Sequence, residues 1–122
     1  MEYISFDTAK LLKEKGYPQC KKKEGYAGVK YTTEGELVTA PFANHYAAPT
    51  IYEAMQWLKV NHDIDIDTYT VWGMDKVITY YVKGYRFRLH SPIFPNYDVN
   101  EVFRTREIAY DEAIKKCLTN LI

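Results

Sequence analysis

Asp63-Ile64-Asp65-Ile66-Asp67-Thr68-Tyr69-Thr70-Val71-Trp72 alternates with period two, Ile64 and Ile66 on one face and Asp63, Asp65 and Asp67 on the other. That pattern predicts a strand with one wet face, which belongs in an antiparallel sheet. Gly73-Met74-Asp75-Lys76 supplies a turn, and Val77 to Val82 returns antiparallel. Lys83-Gly84 then either bends the return strand or opens a second hairpin into Tyr85 to Leu89; both readings stand. Residues 90–101 carry Pro92 and Pro95 and are excluded from a central strand.

Helical patterns lie on both sides of this segment. Upstream, Thr50-Ile51-Tyr52-Glu53 is a capping box, with Pro49 keeping the preceding chain extended. It predicts a helix to about Asn61, with Ile51, Ala54, Met55 and Leu58 at core spacing and Trp57 at the edge. Downstream, Thr105 caps a helix from about Arg106 to Asn120. Its apolar stripe is Tyr110, Ala113, Ile114, Cys117, Leu118 and Leu121. Glu107, Asp111 and Glu112 read as solvated carboxylates at its positive pole, with Lys115 and Lys116 further along.

Near the start, Ser5 or Asp7 caps a helix from about Phe6 to Lys15, closed by Gly16 and blocked by Pro18. Residues 17–28 read as a loop with a basic run at Lys21, Lys22 and Lys23. Val29 to Thr33 and Leu37 to Ala40 form a hairpin around Glu34-Gly35, and 41–49 form a connection. The expectation is an α+β fold: three helices packed against an antiparallel sheet of four or five strands, ordered α-β-β-α-β-β(-β)-α. One domain spans residues 1–122, since 122 residues bury a sizeable core without a metal or disulfide.

Sixteen Lys plus Arg balance sixteen Asp plus Glu, so the composition gives no support for a dedicated duplex-DNA binder. Cys20 and Cys117 lack metal-ligand spacing, and Cys117 falls on a buried helix face as an inert thiol. The opening residues lack a secretory pattern, and no apolar run approaches the ~20 residues of a spanning helix. A reduced cytoplasmic location, with no membrane association, is expected.

Three stretches carry a resemblance. Ser5-Phe6, Thr8-Ala9, Leu11-Leu12-Lys13 and Lys15-Gly16-Tyr17 open the chain; Ala48-Pro49-Thr50 and Trp57-Leu58 mark the second helix; Tyr110-Asp111-Glu112-Ala113-Ile114 marks the last. In this order they resemble a group of short uncharacterised proteins carried by bacteriophages, prophages and gut-type bacteria. The resemblance spans most of the chain through helix caps and core positions, and it implies a cytoplasmic protein of bacterial or phage origin. It brings no catalytic residue and no cofactor. Position 111 is Asp where the group more often has Glu, a difference expected to be without consequence on a solvated first turn.

The chemistry-bearing residues are sparse. Asp63, Asp65 and Asp67 offer hard-cation ligands, but no glycine between Tyr52 and Gly73 shapes a calcium loop, and a charged strand face explains them more simply. His45, His62 and His90 have no paired spacing; a Cys20–His45 catalytic pair would have to meet across the first hairpin. Phosphate-cradling glycine motifs and nucleophile elbows are absent, so neither an enzyme nor a cofactor is expected. Lys83, Tyr85, Arg86 and Arg88 form a basic and aromatic strand suited to a single-stranded nucleic acid, or else paired across strands with the aspartates. Tyr46, Tyr52, Tyr69 and Tyr97, among twelve tyrosines, suit a protein contact surface. The leading expectation is a non-enzymatic interaction protein, possible as a homo-oligomer or with a protein partner, with nucleic-acid binding as the alternative.

Overall fold

The computed structural model describes residues 2–19, 29–39, 46–76, 79–92, 97–98 and 101–122. It is α+β, in the order α1 (Phe6–Glu14), β1 (Val29–Tyr31), β2 (Leu37–Thr39), β3 (Tyr46–Ala47), α2 (Ile51–His62), β4 (Asp65–Met74), β5 (Tyr80–His90), β6 (Tyr97–Asp98) and α3 (Arg106–Lys116). All strand pairings are antiparallel, but they form two sheets, β2-β1-β3 and β4-β5-β6, where the sequence suggested one. The second is a long hairpin with a two-residue third strand. The strands of the first sheet, β1, β2 and β3, are only two or three residues each.

The helices form where local caps dictate. The Ser5 hydroxyl accepts from the Thr8 amide at 3.3 Å. Thr50 and Glu53 close both bonds of the capping box, and the Thr105 hydroxyl accepts from the Ile108 amide. Helix α2 ends on Asp63, whose φ of 53° makes it a left-handed C-cap rather than a member of the strand face. Helix α3 finishes in a π-helical turn, Cys117–Leu121, which carries the apolar stripe beyond Lys116.

The connection expected over 41–49 contains β3, which pairs with β1 at Lys30↔Ala47 and Tyr31↔Tyr46. The chain then runs beside the N-terminal segment: the Ala48 amide donates to Val29 O, Ile4 to Pro49 O and Ile51 to Glu2 O. Residues 77 and 78, expected to begin the return strand, lie outside the described residues, as do Cys20, Lys21 to Lys23 and His45.

One apolar cluster joins every helix to the long hairpin. It contains Ile4, Ala9 and Leu12 from the first helix region, Ile51, Ala54 and Leu58 from α2, and Ile64, Phe87 and Leu89 from the hairpin. Ala113, Ile114, Cys117 and Leu118 complete it. Burial pushes the Cys117 thiol up to about 12, so almost none is thiolate near neutrality. Alkylation at pH 8 followed by peptide mass spectrometry should leave Cys117 unmodified in the folded protein and label it fully in denaturant. Labelling at equal rates in both states would contradict this burial.

The least expected contact crosses the chain. Asp111 is half-buried, and its carboxylate accepts from the Ser5 amide (2.8 Å), the Ser5 hydroxyl (2.8 Å) and the buried Thr8 hydroxyl (3.2 Å). The second turn of α3 thereby completes the cap of α1, so position 111 is not the solvated first-turn site inferred from sequence. Next to it, the Tyr31 hydroxyl donates to Ile4 O at 2.6 Å; burial, and then the Asp111 charge, raise the phenol above its ordinary range.

Candidate functional site

The β4–β5 hairpin has two chemically different faces. Directly opposed residues share a face, and Asp65↔His90, Asp67↔Arg88 and Tyr69↔Arg86 define the outer one. There Arg88 pairs with Asp67 at 3.3 Å and Arg86 with Asp98 at 3.4 Å. Both guanidinium groups lie over the Tyr69 ring, at 4.6 and 5.6 Å, and the Tyr69 hydroxyl donates to Asp98. Desolvation, and then that hydrogen bond, raise the Tyr69 phenol. Asp65 is held by Lys59 at 2.7 Å, and Asp63 lies 3.7 Å from the same amine, which the bond to Asp65 above all pushes upward. The aspartates thus face cations from several elements rather than one another, and no cluster suited to a metal forms among the described residues.

The inner face begins as core. Ile66↔Leu89, Thr68↔Phe87 and Thr70↔Tyr85 face α3, whose first residue, Arg106, reaches Thr70 Oγ1 at 3.3 Å and lies over the Tyr85 ring at 5.1 Å. At that point the register shifts. Val71 opposes Gly84 and Trp72 opposes Val82, so Lys83 is the extra residue of a bulge inside one continuous strand. This decides between the two readings of Lys83-Gly84.

Past the bulge the inner face continues as Trp72↔Val82 and Met74↔Tyr80, beyond the start of the covering helix. These four side chains are 62, 47, 57 and 68% exposed. Together they form a contiguous, largely apolar exposed strip, the kind of surface that marks contact sites. Strand β4 is also the sheet's edge among the described residues, and Thr68 to Met74 carries no charge to protect it.

The residues singled out from sequence do not converge. Tyr85 lies on the inner face, Arg86 and Arg88 on the outer face, and Lys83 is exposed at the bulge. Tyr46 packs edge-on against Phe6, Tyr52 projects from α2, Tyr69 is sandwiched with the arginines, and Tyr97 belongs to β6. His62 packs against Trp57, and His90 opposes Asp65.

A cleft of about 320 Å³ is lined by Tyr3, Tyr17, Gln19, Pro49, Thr50 and Glu53 among others. Two of its polar side chains serve the fold: Gln19 Oε1 accepts from the Ala47 amide, and Glu53 Oε1 from the Thr50 amide. The exposed face formed by Trp72, Met74, Tyr80 and Val82 was not legible as a site, because alternation marks a face without saying what covers it. Length was the available signal. A ten-residue strand spans about 33 Å, and α3 with its closing turn, sixteen residues, about 24 Å at most, so α3 alone cannot roof the hairpin.

No described helix is long and apolar enough to cross a membrane. No family model, curated protein or solved structure matches the chain.

Proposed function

We propose that this chain is a non-enzymatic interaction protein whose contact surface is the uncovered inner face at the end of the long hairpin. The observation that carries the reading is the alignment of Trp72, Met74, Tyr80 and Val82 on one face, all substantially exposed. Aromatic side chains of this kind dominate the energetics of protein contacts, because they bury large area at low conformational cost. The resemblance to short phage-borne proteins supports a mobile-element origin. The alternative, a single-stranded nucleic-acid module built on Lys83 to Arg88, has weaker support. Arg86 and Arg88 are matched by Asp98 and Asp67, and Tyr85 is on the opposite face.

The test is a double variant, Trp72→Ser with Tyr80→Ser, compared with wild type as tagged protein in the cells that encode it. Both positions are solvent-facing, so stability should move by no more than about 0.5 kcal/mol per site. Cross-links from the hairpin to another protein, or to a second copy, should be present in wild type and lost in the variant. A chain that forms no such contact, or forms it equally well in the variant, overturns the proposal.

A further inference from the structure

We infer that the free edge of β4, from Thr70 to Met74, takes up an extended peptide segment of a protein partner as an added antiparallel strand. Its partner class rests on the interaction reading above, while the edge itself fixes how that partner is held. Hydrogen-bond parity settles which way the β4 backbone points. Tyr85 and Phe103 exchange both of their backbone bonds, at 2.8 and 2.7 Å, so the N–H and C=O of Tyr85 are turned away from β4. Thr70, directly opposite, therefore belongs to a non-hydrogen-bonded pair and turns its own N–H and C=O away from β5. At the far end the Asp75 amide donates to Thr79 O, so Asp75 is turned towards β5 and its neighbour Met74 outwards. Trp72 lies between them in the same alternation and also points out. Strand β4 is the last of its sheet, and these outward groups meet no other backbone among the described residues.

Such an edge specifies its complement, which the apolar face beside it does not. N–H and C=O groups recurring at every second residue, about 7 Å apart, are matched along their length by extended backbone. A helix has already used its own backbone groups internally. The edge is also long and unguarded. Strands β2, β3 and β6 are two or three residues each, too short to template a partner, and the bulge of the long hairpin lies on β5. Thr70 to Met74 holds no charge and no proline. Antiparallel addition follows every strand pairing already in the fold. In that arrangement the incoming residues that bond to Thr70, Trp72 and Met74 lay their side chains along the same inner face. The segment should therefore be apolar at alternate positions, and its apolar residues are the ones whose amides bond to β4.

Amide NMR titration of the full-length protein with a capped octapeptide of alternating valine and threonine tests this. The amide signals of Thr70, Trp72 and Met74 should shift and saturate below about 1 mM peptide, with that of Tyr52 on α2 unmoved. N-methylation of the valines removes the donors aimed at β4 and should weaken binding about 30-fold or more. N-methylation of the threonines leaves those donors in place, and affinity should stay within about 3-fold. Thr70→Pro removes an N–H that serves no bond to β5, so the hairpin keeps its ladder while peptide affinity falls about tenfold.

No saturable shift at Thr70, Trp72 and Met74 overturns the inference, as does equal weakening by the two methylation patterns. The contact face and the edge fail separately. A chain that binds no peptide, yet loses its cross-links in the Trp72 and Tyr80 double variant, keeps the face and loses the added strand. A chain that binds the peptide but cross-links to nothing through the hairpin loses the face and keeps the edge.

Discussion

Asp111→Ala is expected to lower the unfolding free energy by about 3 kcal/mol and the melting temperature by roughly 10 °C. The carboxylate takes three donors at 2.8, 2.8 and 3.2 Å, two from hydroxyls and one from the Ser5 amide. The two hydroxyls also lie 2.9 Å from each other, and Ser5 Oγ accepts from the Thr8 amide, so the carboxylate closes a small network. Removing the carboxylate leaves the Thr8 hydroxyl, on a residue with no exposed surface, with the neutral Ser5 Oγ at 2.9 Å in place of a charged acceptor, and leaves the Ser5 amide without its partner. The loss is paid twice, once at the cap of α1 and once at the α1–α3 junction. Asp111→Asn keeps the volume but offers a donor where one acceptor stood, and about half the loss is expected. Urea unfolding decides the matter, with an unchanged slope confirming a native-state effect. An alanine variant within 0.5 kcal/mol of wild type would mean that the carboxylate gains nothing over its hydration in the unfolded chain.

Gly84→Ala and Gly73→Ala should behave oppositely, although both glycines lie in the same hairpin. A β-carbon on Gly84 would strike Val102 Cγ1 and come within 2.6 Å of Phe103 O. That carbonyl cannot retreat, because Phe103 and Tyr85 exchange both backbone bonds at 2.8 and 2.7 Å. Phe103 also stacks on Phe87 at 5.8 Å, so displacement would propagate into the core. A cost of about 2–3 kcal/mol is expected, as for other forced overpacking. A β-carbon on Gly73 meets the Tyr81 ring at 2.5 Å, but that ring is the far end of a half-exposed side chain free to swing aside. There the change should stay within about 1 kcal/mol, with relief of glycine's backbone entropy offsetting the displacement. Equal losses from the two substitutions would show that the Phe103 segment is not rigidly held.

What the sequence made readable was local. Thr50 and Glu53 announce α2 because a capping box closes within four residues, and Ser5 and Thr105 act over the same range. The alternation from Ile64 onward identifies a half-solvated strand for the same reason. What escaped was set at a distance. The Tyr46-Ala47 pair carries no period of its own and becomes a strand only by pairing with β1. The continuity of β5 through Lys83-Gly84 depends on a bulge defined by β4, and on the Phe103 backbone that Gly84 admits. Asp111 reads as an ordinary solvated carboxylate until the fold brings Ser5, 106 positions away, against it. The candidate surface was hidden differently: Trp72 and Met74 extend an alternation that looks like core, and only the observed start of α3 at Arg106 leaves them exposed among the described residues.

The Ser5–Asp111 junction also orders events during synthesis. Helix α1 emerges early from the ribosome, yet its cap stays incomplete until residue 111 has cleared the exit tunnel. The same holds for the core, where Ile4, Ala9 and Leu12 wait for Ala113, Ile114 and Leu118. Until then the nascent chain displays apolar surface with no lasting shelter, the condition that recruits chaperones. The α1–α3 junction and the core around it therefore close only once residues 111–118 have emerged.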